Sequence, residues 1–219
     1  MRRPILLVCG ALSSLLYLGI DVLGGMRYEG YSYVSQTISE LSAIGAPPRP
    51  LLVPLSIAYS VLAGAFGWGV WRSAGRKRAL RVVGGLLIAY GVLGLAWPFA
   101  PMQMRGNEIA TTDVLHVALS TLTVLLILLI LVFGAAAFGP RFRLYSIATI
   151  LVLAVFGILT GLAAPRIALN LPTPWIGLHE RIMLYAFILW IGVLAVALLR
   201  GSGPRGDEEG HRDVGRGVD

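Results

Sequence analysis

Six apolar stretches, each close to the length that crosses a bilayer as a helix, leave this chain few choices of fold. They run over about 5–24, 51–71, 82–99, 114–138, 144–164 and 181–199. A hydrocarbon core of about 30 Å, at about 1.5 Å of rise per residue, needs about 20 helical residues. Only 13% of the 219 residues are charged and 57% are hydrophobic, where a soluble domain carries about 25% charge. The expected fold is therefore all-α and polytopic, with six transmembrane helices arranged as three hairpins within residues 1–200. The connections are too short to hold a separate soluble domain. Residues 201–219, rich in glycine and acid and without an apolar stretch, read as a disordered cytoplasmic tail.

Positive charge sorts the connections into two sets. Thirteen of the 18 Lys and Arg residues fall at the N-terminus, in the 72–81 turn, at Arg141 and Arg143, and after residue 199. Arg27, Arg49, Arg105, Arg166 and Arg181 fall on the other side. Cytoplasmic loops collect Lys and Arg, so both termini are expected in the cytoplasm and the longer connections outside. The net charge of +7 and the pI near 10.1 then face anionic membrane lipid, and nucleic acid is not the expected partner. Arginine replaces lysine almost throughout, as in a GC-rich bacterial genome, which points to a bacterial plasma membrane. A single cysteine, Cys9, excludes a disulfide framework and a cysteine-type zinc site. The first apolar stretch exceeds the core of a typical signal peptide and is expected to stay as a span.

The first outer connection, 25–50, has a pattern of its own. Val34, Ile38 and Leu41 recur at helical spacing, and Ser35, Ser39 and Ser42 follow one position behind. That predicts an amphipathic interfacial helix of about three turns. Thr37 and Glu40 have capping-box spacing, and Gly45, Pro47 and Pro48 form a stop signal. The sequences Gly94-Leu95-Ala96-Trp97-Pro98 and Gly161-Leu162-Ala163-Ala164-Pro165 end the third and fifth stretches alike. Whether they record a duplicated hairpin stays open. Ser56, Ser60 and Gly64, like Gly157 and Gly161, are spaced for close helix packing.

Ionisable residues at membrane depth face the protein interior or water. Asp21 shares a helix face with Tyr17 and Ser14. Asp113, His116, Ser120 and Thr123 form a polar stripe about 15 Å long from the outer end of the fourth span. The sixth span opens with Gly177-Leu178-His179-Glu180-Arg181. Glu40, Asp113, His116, His179, Glu180, Arg181 and Asp21 are therefore expected around one outward-facing crevice. Three readings of it stand side by side. In the first, an ion-pair network staples the bundle of a structural or accessory subunit, for instance Asp113 holding His116 and Glu40 meeting Arg181. In the second, Asp113, His116 and His179 hold a zinc ion and Glu40 is the general base of a hydrolase acting on an outer-leaflet lipid. In the third, Ser39, Glu40, Asp113, His116, His179, Glu180 and Arg181 bind a lipid headgroup or small polar ligand, with Arg181 as the anion contact. A membrane protein partner or a homo-oligomer is compatible with each. Nucleophilic chemistry at Ser39 lacks the Gly-x-Ser-x-Gly elbow that would support it.

Ile38-Ser39-Glu40-Leu41-Ser42-Ala43, Gly45-Ala46-Pro47, Asp113-Val114-Leu115-His116 and Gly177-Leu178-His179-Glu180-Arg181 together resemble the six-span bacterial and archaeal membrane family called domain of unknown function 998. The resemblance covers about residues 5–200 and implies the architecture, not an activity. More distantly, Ser39, Asp113, His116 and His179 are similar to the zinc-site residues of seven-span membrane hydrolases such as alkaline ceramidases and adiponectin-type receptors. This chain has six spans and lacks their paired His-x-x-x-His.

Overall fold

A computed structural model describes residues 3–201. Six long helices account for most of them: α1 Arg3–Met26, α2 Arg49–Ser73, α3 Arg78–Gly94, α4 Thr111–Ala137, α5 Pro140–Ala163 and α6 Ile176–Arg200. Among the described residues these are the helices long and apolar enough to cross a membrane, α3 reaching Phe99 through a 3-10 turn at Trp97–Phe99. There is no strand among them. The expected 201–219 tail lies outside the described residues, apart from Gly201.

The helices form a ring in chain order, each packed on its neighbours, and α6 closes on α1. Glycine sets the tightest seam, between α2 and α3. A Cβ on Gly67 would stand 2.6 Å from the Ile88 nitrogen, and one on Gly91 would stand 2.6 Å from the Gly64 nitrogen and 2.7 Å from the Ser60 carbonyl. The small-residue run Ser60 and Gly64 thus packs helix against helix, as its spacing suggests. Gly157 meets the Met183 sulfur at 3.1 Å by the same measure, whereas Gly161 faces open space.

Packing is uneven along the bundle. At the end carrying Arg3 and Gly201, here the proximal end, α4 buries Ile127, Ile130, Leu131, Gly134, Ala135 and Ala137. There α5 buries Ser146, Thr149 and Leu153, and the Trp190 indole donates to the Ser146 hydroxyl at 2.9 Å. Towards the other, distal end neither helix buries anything: α4 has no buried residue before Ile127 and α5 none after Leu153. Both helices are thus buried near their connecting turn and leave their distal halves exposed.

The 27–48 connection differs from its expectation. In place of a three-turn amphipathic helix it forms one 3-10 turn, Ser39–Ser42. A helix here needs the carbonyls of residues 33–37 for its own N–H groups, and all five are engaged elsewhere. Tyr33 and Gln36 accept from Arg181, Val34 from the Leu178 N–H, Ser35 from Arg105 and Thr173, and Thr37 from the Tyr31 hydroxyl. Tertiary bonds outcompete local periodicity. The capping box does form, with Glu40 accepting from the Thr37 N–H at 2.8 Å and Thr37 Oγ1 from the Glu40 N–H at 3.2 Å. Gly45 stops the turn at φ +89°, a conformation that costs a glycine little.

Candidate functional site

Two buried clasps fix the distal end. In the first, Arg181 Nε and Nη2 donate to the two Asp21 oxygens at 2.9 and 2.8 Å. Its Nη1 donates to the carbonyls of Tyr33, Gln36 and Gly177 at 2.7, 3.0 and 3.1 Å, and Nη2 also to the Tyr31 hydroxyl at 2.6 Å. Tyr33 and Tyr31 lie 4.8 and 5.5 Å from the guanidinium, and the Tyr185 hydroxyl donates to Asp21. Burial pushes the Tyr31 hydroxyl above its ordinary pKa, against the opposing pull of Arg181, so it stays protonated and donates to the Thr37 carbonyl. A guanidinium has five N–H donors, and here all five are engaged in a side chain only 6% exposed. Arg181 is therefore a structural clasp and not the expected anion contact.

In the second clasp Arg105 holds Glu40, Nε to Oε1 at 2.5 Å and Nη2 to Oε2 at 2.9 Å. Glu40 also accepts from the Thr37 N–H and hydroxyl. The expected Glu40–Arg181 pairing is thus replaced by Glu40–Arg105 and Asp21–Arg181. A carboxylate so engaged is a poor general base, so the role expected for Glu40 in catalysis has no support in its surroundings.

Asp113 lies in the first turn of α4 and caps it. Oδ2 accepts from the Ala110 N–H at 2.9 Å and Oδ1 from the Gln103 N–H at 2.7 Å. It does not hold His116, whose Nδ1 instead bonds the Ala100 carbonyl at 2.8 Å, with the ring edge-on to Trp97 at 5.0 Å. A carbonyl only accepts, so Nδ1 carries the proton and Nε2 is left as an acceptor when the ring is neutral. His179 lies against Phe156, ring centres 5.7 Å apart, and its Nδ1 is buried without a hydrogen-bond partner among the described residues. Asp113, His116 and His179 are thus each engaged in different surroundings. No group of three or more His, Cys, Asp or Glu side chains fit to hold a metal occurs among the described residues, and the expected zinc set is not assembled. Replacing His179 by Leu removes a buried polar atom that gains nothing in return. The expected outcome is an unfolding free energy unchanged or raised by up to about 1 kcal/mol, read as a thermal midpoint in detergent; a large loss would restore a role for the ring.

A cavity of about 220 Å³ lies among α1, α2, α3, α4, α6 and the Ser39–Ser42 turn. Its wall is largely apolar, with Ile20, Leu52, Val124, Ile127, Met183 and Leu184 among its residues. The polar groups around it come from five helices and the 3-10 turn. His116, Ser120 and Thr123 bring the expected α4 stripe to its wall, without Asp113. Ser120 and Thr123 donate to carbonyls one turn back, which leaves their oxygens as acceptors. Tyr59 and Tyr90 bond each other at 2.8 Å at the α2–α3 side. Glu180 faces the cavity from α6, accepting from the Ile38 N–H at 2.5 Å and from the Ser39 hydroxyl at 3.4 Å. It is 9% exposed. The ion pairs among the described residues are Arg105–Glu40 and Arg181–Asp21, so the Glu180 carboxyl has no cation partner there. Arg49 lines the cavity as well, donating to the Ser42 carbonyl at 2.5 Å and the Pro98 carbonyl at 3.4 Å.

Ser39, His116 and Glu180 are the expected site residues that share this cavity; Glu40, Asp113 and Arg181 are engaged in bonds outside its wall, and His179 lies against Phe156. Arg49, Tyr59 and Tyr90 are members that sequence reasoning missed. The signal for Arg49 was its place among the five cations on the side away from the basic turns.

A family model described as protein of unknown function (DUF998) matches residues 11–197. No curated protein and no solved structure matches the chain.

Proposed function

The chain belongs to the DUF998 family of proteins of unknown function, and from its site we propose that it is a membrane protein that binds a small polar group, free or as the head of a lipid, in the distal cavity. The observation that carries this reading is Glu180: a buried carboxyl with no cation partner among the described residues, lining the cavity. An isolated buried charge is costly, and a ligand that complements it removes that cost. The volume suits a small molecule, since a cavity of about 150 Å³ already accommodates benzene. An apolar wall with a few convergent polar groups is the usual make-up of a ligand site. The charge bias of the connections supports placing the distal end, and so the cavity mouth, on the extracytoplasmic side of a bacterial plasma membrane.

The hydrolytic alternative needs Glu40 as a base and Asp113 beside two histidines, and both carboxylates already accept from protein donors. The purely structural alternative accounts for the two clasps and for the Glu180 bond to the Ile38 N–H, but supplies no cation to complement that carboxyl.

A cysteine at the cavity wall tests the reading. In a Cys9→Ala background, Ser120→Cys is expected to react with a small maleimide at least tenfold faster after delipidation than in nanodiscs of total lipid extract from the expression host. Equal rates in both states, and in the presence of a host metabolite extract, would mean that the cavity holds nothing.

A further inference from the structure

The cavity contains one acidic and one basic side chain, and the same short turn separates them. Glu180 bonds the Ile38 N–H and the Ser39 hydroxyl at the start of the Ser39–Ser42 turn; Arg49 bonds the Ser42 carbonyl at its end. Four steps from Ile38 to Ser42, at about 2.0 Å each in 3-10 geometry, span about 8 Å, so the backbone groups that hold the two side chains lie a short molecular length apart. Glu180 Oε1 meets a single long hydrogen bond. Arg49 has two of its donors engaged on protein carbonyls; a guanidinium has five in all. Neither charge neutralises the other, and both line the cavity.

The rest of the wall says what must be attached to such a head. Towards α4 and α6 it is Val124, Ile127, Met183 and Leu184. The ring order places α5 between α4 and α6, and the distal halves of α4 and α5 bury no residue. Leu115, Leu122, Ile158 and Leu162 there are 50%, 46%, 63% and 74% exposed. In a bilayer these exposed faces meet acyl chains. A free solute needs no apolar wall beside its polar head, whereas the chain of a lipid does.

We propose that the occupant is a zwitterionic lipid with a primary ammonium and a phosphate in its head, Glu180 taking the ammonium, Arg49 the phosphate, and an acyl chain lying along the apolar wall of α4 and α6. This rests on the binding role proposed above and names its ligand class. The ammonium donates to Glu180 Oε1 and to the Ser39 oxygen, and is neutralised by the carboxylate. The phosphate takes the Arg49 donors that protein carbonyls leave open. A quaternary ammonium has no N–H to donate and fits Glu180 less well. A head with phosphate and no amine leaves Glu180 without its partner.

The test uses full-length Cys9→Ala, Ser120→Cys protein in nanodiscs of phosphatidylcholine doped with phosphatidylethanolamine or phosphatidylglycerol, read as maleimide protection. Phosphatidylethanolamine is expected to protect at least tenfold over phosphatidylcholine alone, and phosphatidylglycerol less than twofold. Glu180→Gln is expected to abolish that preference. Arg49→Gln is expected to weaken phosphatidylethanolamine protection about tenfold while leaving protection by dodecylamine, which has the amine and no phosphate, intact; this second variant shows that a loss in Glu180→Gln is not misfolding. Stronger protection by phosphatidylglycerol, or protection by phosphatidylethanolamine indifferent to Glu180→Gln, overturns this ligand class while a binding role stands. Protection by free phosphoethanolamine at the same concentration as the lipid overturns the part given to the acyl chain. Protection by none of these, nor by host extracts, ends both proposals together.

Discussion

Arg181→Met is expected to lower the free energy of unfolding by about 3–5 kcal/mol, the range for removing one partner of a buried ion pair. The pair is well enclosed, with side-chain exposures of 7% for Arg181 and 1% for Asp21. Methionine fills much of the arginine stem's volume but leaves Asp21 charged, with only the Tyr185 hydroxyl still donating to it. It also removes the guanidinium donor from the Tyr33, Gln36 and Gly177 carbonyls, of which Gln36 keeps the Tyr31 hydroxyl at 3.2 Å. Asp21→Leu alone strands the guanidinium in the same way. The double variant Asp21→Leu, Arg181→Met strands neither charge and is expected to recover at least half of the loss, because apolar replacement of a whole buried pair is often close to neutral. Unfolding midpoints in mixed micelles, compared across the four proteins as a cycle, read the coupling directly. Additive losses in the double variant would mean that Arg181 acts through its carbonyl bonds and not through Asp21. Arg105→Met makes a useful contrast: Arg105 is 19% exposed, solvent reaches the pair, and a smaller loss is expected.

These pairings also mark where sequence reasoning stopped. The six spans were legible because apolar length is a local property, and the Thr37–Glu40 box was legible because its two members are three residues apart. Partner choice is not local. Glu40 finds Arg105 at 65 residues' distance and Asp21 finds Arg181 at 160, and nothing in the spacing of charges prefers those pairs over Glu40 with Arg181. The Val34, Ile38, Leu41 period was a true pattern with the wrong consequence. It gave way because five successive carbonyls found donors on α6, on the 100–110 and 164–175 connections and at Tyr31, which no single-segment argument weighs. Asp113 illustrates the same limit from the other side. Its place one turn before His116 suggests that it holds that ring or shares its zinc, yet a helix start leaves backbone N–H groups unmet, and the carboxylate serves the one at Ala110 together with that of Gln103 in the preceding connection. The cavity itself was foreshadowed only by the stripe His116, Ser120 and Thr123, which located one wall of five.

Gly177→Ala is expected to damage stability and binding together, because one Cβ would unseat everything that aims Glu180. Gly177 lies in the first turn of α6, where the 33–38 segment crosses it. An added Cβ would stand 2.6 Å from the Tyr33 carbonyl oxygen, closer still to that of Gln36, and 2.9 Å from the Gln36 carbonyl carbon. These are backbone atoms with no rotamer to give way. The segment must move off the helix, and it is the same segment whose carbonyls hold Arg181, whose Val34 accepts from Leu178, and whose Ile38 N–H fixes Glu180. Overpacking alone costs about 1–3 kcal/mol, and hydrogen bonds lost by a charged group add about 1.5–3 kcal/mol each where no replacement forms. The total should approach that of Arg181→Met, with at least a tenfold fall in cavity protection measured at Ser120→Cys. Gly161→Ala is the matched control: it lies in α5 with nothing within 4 Å of the added carbon. There the gain in helix propensity predicts no loss, or up to about 1 kcal/mol of added stability. Were both alanines equally harmless, the close crossing at Gly177 would have to be abandoned, and with it the account of how a connection that forms only one 3-10 turn holds a buried carboxyl at the edge of a cavity.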